Sequence, residues 1–446
     1  MALTIRQKMG WGLADMGVVV FVVVKQMLVL NFLTAFLGVP VGLAGLVTTC
    51  VLVFDMVTDP VVGVLSDRTN SRWGRRAPWM FLGAVIMAGA IVGLFAVPDG
   101  FAMAGNIAWV IGFFGLATIG FTFVAIPYGA QAGELTSDPK ERSVMTGWRM
   151  GFASLGILIG GALVPGLAAG MGHAMAALVV SPLIIGSIWL SLFATRNAPR
   201  IEKSTSLGFK GAFGLVLRNR PFVVLTALYG IMTLAVAILT AGLPFAATYL
   251  INDTGDTLLS GAAQALTLLS VLFAAFVIGS ILSQAIWVLL SHRIGKLAAL
   301  ILGLVFYVGV LFVMRSILPS TNVTAMAGLF VIAGMANGSY QQIPWAIYPD
   351  HMDQTRAESG EAVEGAFSAI WLFGQKLANA IAPALLGAVL ARQGWQESTG
   401  GVVPQSDAAL EALRMSMTLM PAAILAVAIL GLFLIYRPLR AKAVAS

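Results

Sequence analysis

An all-α membrane protein, with twelve transmembrane helices in two six-helix bundles, is the fold class that this sequence predicts. Three observations predict it: apolar runs long enough to cross a bilayer recur along the chain, basic residues collect in alternate connections, and the second half repeats motifs of the first. Hydrophobic residues fill 59% of the 446 positions and charged residues only 10%, with a mean hydropathy of +0.92. A soluble core cannot hide that much apolar surface. At about 1.5 Å rise per residue, some twenty residues cover a hydrocarbon core of about 30 Å.

The first expected span, 11–37, begins after MALTIRQKMG and shows no small-residue cleavage site, so it reads as a retained helix rather than a signal peptide. The second, 42–66, ends at the basic stretch that holds Arg68, Arg72, Arg75 and Arg76. Spans 79–97 and 107–131 flank the short loop VPDGFAMAGN, and 144–169 with its Gly-rich GILIGGALVPG reads as a closely packed helix before 174–194. The longest basic connection then separates 222–250 from the first six, and INDTGDTLLSGAAQ leads into 266–290. Spans 297–317, 325–348, 366–391 and 411–436 complete the count. The expected organisation is a bundle over 1–194, a cytoplasmic linker over 195–221 and a bundle over 222–446.

The formal charge of +7 is a topology signal, not a nucleic-acid footprint, because 20 of the 26 Lys and Arg lie in alternate connections and at the two ends. That asymmetry places both termini in the cytoplasm. Single Cys50 has no partner for an internal disulfide. His173, His292 and His351 read as loop or helix-end residues; no His/Cys metal cluster, phosphate-cradling loop or Ser-His-Asp arrangement is found, so no cofactor and no enzyme activity are expected. The partners expected are a lipid bilayer and a small-molecule substrate, with no nucleic acid, for a monomer in a bacterial cytoplasmic membrane.

The halves echo each other. AIPYGAQAGELTSDPKERSVMTG after the fourth span resembles QIPWAIYPDHMDQTRAESGEAVEG after the tenth, with Ile126-Pro127-Tyr128 matching Ile343-Pro344-Trp345. Two similar six-helix bundles are the arrangement of the major facilitator fold, in which the substrate sits between the halves near mid-membrane.

Six charged residues fall inside the spans and away from their ends, or nearly so: Asp15, Lys25, Asp55, Asp59, Arg149 and Lys376. Each costs about 2.5–3.5 kcal/mol at a helix centre, so they must face one another or a polar cavity. Asp55 and Asp59 stand four apart, on one helix face, with Thr58 beside them. Either one carboxylate keeps a proton, as like charges force, or a cation sits between them. Both describe a cation site. Counting inward at about 1.5 Å per residue puts Asp55, Thr122 and Lys376 about 13–17 Å deep, with Lys25 deeper and Arg149 shallower. Asp15 lies about 15 Å along the helix from Lys25, too far to pair with it. A structural reading stands beside the functional one: Lys25 neutralises Asp55, and Arg149 caps carbonyls near its helix end.

The stretch DMVTDPVVGVLSDRTNSRWGRRAPW, with its D-x-x-x-D-P-x-x-G and R-W-G-[KR]-x-x-P-W spacing, resembles the signature of the glycoside-pentoside-hexuronide:cation symporters, the melibiose permease group of the major facilitator superfamily. IPYGAQ, DPKER, WRMGFASLG, YPDHMD and FGQKLANA extend the resemblance more weakly. It implies a coupling-cation site for Na+ or H+ at Asp55, Thr58, Asp59 and Thr122, and cavity positions at Arg149 and Lys376. It also implies a cytoplasmic gate of Arg142 with Asp350 and Asp353, joined by Asp67. Departures are equally informative: Val18 and Val19 replace a Lys-Asp pair, Ala125 an Asp, and Gly129 an aromatic, so the galactoside grip is missing.

These bases point to an anionic solute, a uronide or a sulfonated or acidic glycoside, whose acid group meets Lys25, Arg149 or Lys376. Tyr128, Gln341, Gln342 and Trp345 are the candidates for hydroxyl hydrogen bonds and a stacking face, against a reading as helix packing. The expected function is cation-coupled symport by alternating access. Two alternatives stand: the same fold carrying a lysolipid or other amphipath, and a non-transporting sensor or scaffold.

Overall fold

The computed structural model describes residues 3–136, 138–198, 209–359 and 364–445. Among them, twelve helices are long and apolar enough to cross a membrane. They are α1 (Ile5–Ala35), α2 (Val41–Arg68), α3 (Ala77–Phe95) and α4 (Met103–Leu135), then α5 (Val144–Met171) and α6 (His173–Thr195). The second six are α7 (Arg220–Tyr249), α8 (Leu268–Ile294), α9 (Lys296–Ile317), α10 (Val323–Ser359), α11 (Glu364–Arg392) and α12 (Asp407–Ala441). Most present apolar side chains around the whole circumference, the pattern of helices set against lipid on one side and other helices on the other.

Several helices outrun their apolar runs. α4 continues to Leu135 and α10 to Ser359, past the expected ends at 131 and 348. Hydropathy marks where the hydrocarbon ends, whereas backbone hydrogen bonding carries the helix on into the polar layer. His351 is therefore a correction to its reading as a loop or helix-end residue: it lies within α10, 4% exposed, with Nε2 2.7 Å from the Tyr436 hydroxyl.

Backbone packing gathers the chain into two compact units, Met1–Lys203 with Gly261–Ala274 and Gln396–Pro404, and Ser204–Ser260 with Ala275–Trp395 and Gln405–Ser446. In the first unit, the Gln396–Pro404 segment is tied down by Glu397, which accepts from the Val41 amide at 2.8 Å, and by the Ser398 amide, which donates to the Thr34 carbonyl at 2.9 Å.

Small residues set the approach of α1 to α5. A Cβ at Gly12 would lie 2.7 Å from the Arg149 amide nitrogen, and one at Gly156 would lie 2.5 Å from the Met16 carbonyl oxygen. Only hydrogen fits at either place, so the backbones meet directly, as small residues permit between membrane helices. That contact places Asp15 of α1 beside Arg149 of α5.

In the second unit an aromatic cluster joins α7, α10 and α11. Tyr229 stacks on Trp371 at 4.3 Å, and Tyr348 stacks on the same indole at 5.1 Å. The Tyr340 hydroxyl donates to Thr233 at 2.8 Å, whereas the buried Trp371 indole N–H has no hydrogen-bond partner among the described residues.

Candidate functional site: a carboxylate pair on the second helix

Asp55 and Asp59 project from one face of α2 and meet one hydroxyl on α4. Thr122, fully buried, has its Oγ1 3.0 Å from Asp55 Oδ1 and 3.4 Å from Asp59 Oδ1. A threonine hydroxyl has a single proton, so it donates to one carboxylate at a time and offers lone pairs to whatever else enters. Thr58 donates its own hydroxyl proton to the Asp55 carbonyl one turn back, at 3.0 Å, leaving its oxygen able to accept or coordinate. Asp55 is buried and Asp59 half-buried, so the pair grades from the interior outward.

The charge facing Asp55 comes from α1. Lys25, 6% exposed, holds its ammonium 4.0 Å from Asp55 Oδ2. It rests 4.4 Å over the Phe121 ring and 5.2 Å over that of Phe21, two rings stacked at 5.5 Å. A distance of 4.0 Å is an ion pair without a direct hydrogen bond, and the ring faces supply part of the solvation that the buried ammonium has lost. The reading in which Lys25 neutralises Asp55 thus matches an observed contact.

A second cluster lies nearby in sequence on α1. Arg149 donates from Nε to Asp15 Oδ2 at 3.0 Å and from Nη2 to Oδ1 at 3.4 Å. Its guanidinium lies 5.4 Å from the Tyr128 ring and 6.0 Å from that of Trp11, and these two rings stack at 4.9 Å. Arg149 makes a fork to a carboxylate, in place of the expected capping of carbonyls. Trp11 and Tyr128 are both 2% exposed, and neither the indole N–H nor the hydroxyl has a hydrogen-bond partner among the described residues.

Composition hides these partners, but local spacing hints at them. Phe21 precedes Lys25 by four residues and Trp11 precedes Asp15 by four, which puts each pair on one helix face. Phe121 adjoins Thr122 in the chain. Nothing in the spacing says which distant helix each long side chain reaches.

In the second unit, Trp345 donates its indole N–H to the Tyr229 hydroxyl at 3.0 Å while remaining 39% exposed. Gln341 is exposed, whereas the Gln342 carbonyl oxygen is buried without a partner among the described residues. Lys376 on α11 is half-buried.

Of the expected gate residues, Asp67, Arg142 and Asp350 have partners inside their own units. Asp67 pairs with Arg76, which also donates to Ser66 at 2.7 Å and to Glu134 at 3.0 Å; Arg75 reaches the same Glu134 oxygen at 2.8 Å. Arg142 donates to the Thr136 carbonyl at 3.1 Å. Next to it, Glu141 accepts from Lys8 at 2.9 Å, from Thr136 at 2.8 Å and from the Leu3 amide at 2.9 Å. The Lys8 hydrogen bond first, and that of Thr136 second, hold the Glu141 carboxyl below the usual carboxylate range. Asp350 takes Lys296 at 2.8 Å and Arg440 at 3.8 Å, and Asp353 is exposed.

The profile of the family described as MFS/sugar transport protein matches residues 10–437. Among curated proteins, the chain is 26% identical to "Putative glycoside/cation symporter YagG" of Escherichia coli K12, over 89% of this chain and 85% of the relative. It is also 26% identical to "Putative sulfoquinovose importer" of the same organism, over 97% of this chain and 91% of the relative. Among solved structures, a bacterial homologue of the human lysosomal transporter Spinster, in an inward-facing and unoccupied conformation, superposes with a TM-score of 0.67 at 17% identity. That match spans 98% of this chain and 97% of the other and speaks to fold alone. The chain belongs to the MFS/sugar transport protein family, among the glycoside-pentoside-hexuronide:cation symporters of the major facilitator superfamily: it is a multi-pass membrane transporter, not an enzyme.

Proposed function

We propose that this protein is a Na+- or H+-coupled symporter of an acidic, sugar-like solute, working by alternating access in a bacterial cytoplasmic membrane with both termini in the cytoplasm. The observation that carries the reading is the convergence of Asp55, Asp59 and the Thr122 hydroxyl. Two carboxylates and a hydroxyl offer the oxygen ligands that a hard monovalent cation prefers, or a shared seat for a proton. Thr58 completes the set with its remaining lone pairs.

The acidic character of the solute is supported by Lys25 beside Asp55, by Arg149 on Asp15, and by Lys376 on the second unit. A relative named for a sulfonated sugar supports the same class. Tyr128, Gln341, Gln342 and Trp345 are the candidates for contact with the solute's hydroxyls and ring. The moving bodies are taken as the halves 1–194 and 222–446 with the 195–221 linker, and Asp67, Arg142, Asp350 and Asp353 as the cytoplasmic gate.

A membrane potential of 100 mV is worth about 2.3 kcal/mol per elementary charge. An anion that cancels one cation gains nothing from it, so accumulation of this solute rests on the ion gradient or on additional cations.

The test is uptake into proteoliposomes of radiolabelled sulfoquinovose and of a methyl glucuronide, driven separately by a sodium gradient and a pH gradient. One solute and one gradient give accumulation in the wild type, and Asp55→Asn and Asp59→Asn each abolish it. Accumulation that survives in both variants overturns the proposal.

A further inference from the structure

The Lys25 ammonium and a coupling cation both need Asp55. In the geometry described above, Thr122 occupies one oxygen of that carboxylate and Lys25 faces the other across 4.0 Å. A cation bound between Asp55 and Asp59 would stand within a few ångströms of a buried like charge, and screening by water is weak there. The two positive charges are therefore antagonists at a single carboxylate.

Other features bear on what Lys25 does when the cation arrives. Its charge is a compact ammonium on a flexible four-carbon stem, in contrast to the planar guanidinium by which Arg149 forks onto Asp15. Phe21 and Phe121 present their faces to the ammonium, so it has a favourable seat independent of the carboxylate. A compact charge on a flexible stem can turn from one anionic partner to another, and the two rings offer it a seat beside Asp55.

We propose that Lys25 is a tethered stand-in for the coupling cation. It neutralises Asp55 while the site is empty and yields that carboxylate when the cation binds. Its ammonium then receives the acid group of the solute. Cation and solute strengthen each other because each displaces the same ion pair, and thermodynamic reciprocity makes the two enhancements equal. This inference rests on the cation-site reading given above and adds the element that couples the two ligands.

The experiment is cation titration of the purified full-length protein in lipid nanodiscs. Sodium chloride is titrated against choline chloride by calorimetry, and proton uptake is followed with an indicator dye; the arm that responds in the wild type is the one read. Lys25→Met is expected to bind that cation roughly tenfold more tightly, within the usual range of allosteric coupling. In the proton arm, the pH of release rises by about one unit, since a tenfold change in affinity is one pK unit. The cation should also cease to strengthen binding of sulfoquinovose or methyl glucuronide, whichever the wild type takes. A residue that merely packs the bundle would not tighten cation binding when removed.

Cation affinity that is unchanged or weakened in folded Lys25→Met overturns the inference. Should that variant fail to give a monodisperse peak on gel filtration, Lys25→Gln is read in its place by the same criterion. The underlying site is judged separately: cation binding that persists at wild-type strength in Asp55→Asn/Asp59→Asn overturns the site itself.

Discussion

Thr122 of α4 bonds Asp55 of α2 at 3.0 Å and stands 3.4 Å from Asp59, so one buried hydroxyl ties both carboxylates of the pair to a second helix. Sixty-seven residues separate Thr122 from Asp55 in the chain, and the contact exists only because α2 and α4 pack together. That dependence makes Thr122 the most direct probe of the site.

Thr122→Ala removes a hydrogen bond to a charged group, worth about 1.5–3 kcal/mol. The cation concentration for half-maximal uptake should rise roughly tenfold or more, because each 1.4 kcal/mol is a factor of ten. Thr122→Ser keeps the hydroxyl and should stay within about threefold of the wild type, a difference of well under 1 kcal/mol. Equal behaviour of the two variants in a cation titration of uptake would show that the hydroxyl has no part in the site.

The Asp15–Arg149 pair predicts a stability cycle. Removing one partner of a fully buried pair costs about 3–5 kcal/mol, whereas removing both is far milder. Arg149 is 37% exposed, so the smaller figure of about 2–3 kcal/mol is expected for Asp15→Asn. Thermal unfolding in detergent should rank Asp15→Asn below the double variant Asp15→Asn/Arg149→Gln. The reverse ranking would mean that the two side chains stabilise the bundle independently.

Gly156 provides a steric test. A side chain there meets the Met16 carbonyl at 2.5 Å, while a Cβ at Gly151 on the same helix meets nothing within 4 Å. Gly156→Val should therefore push α5 from α1 and cost about 1–3 kcal/mol of overpacking. Gly151→Ala should leave the melting temperature within a degree or two, or raise it slightly, since alanine favours the helix by about 1 kcal/mol. The melting temperatures of the two variants in one detergent settle the comparison.

Glu141 predicts an acid limb. Its folded pKa is depressed by the hydrogen bonds from Lys8 and Thr136, so the folded state binds that proton less readily than the unfolded chain. The contribution is fully present above the unfolded value of about 4.3 and is lost as pH falls through the depressed folded value. Glu141→Gln should accordingly melt lower than the wild type at pH 7, and the gap should close as the pH is taken down below about 4.3. A gap that stays constant with pH would assign the effect to packing instead of charge.

Much of this architecture is written in local chemistry. Runs of some twenty apolar residues have few stable forms other than membrane-spanning helices, because lipid leaves backbone groups no partner but the helix itself. The same logic exposes the i, i+4 face of Asp55 and Asp59, since helical geometry alone puts them side by side. Hydropathy failed only where it reports the membrane edge instead of the end of the helix, as at His351.

Partner choice belongs to tertiary packing. Lys25 and Arg149 are long, flexible cations, and spacing along one helix does not say which distant acid such a side chain reaches. Arg149 took Asp15 because Gly12 and Gly156 let α1 and α5 touch, and Lys25 came to face Asp55 because Phe21 and Phe121 hold its ammonium beside α2. Spacing along one helix encodes a face, whereas the meeting of two helices depends on the volume of every side chain between them.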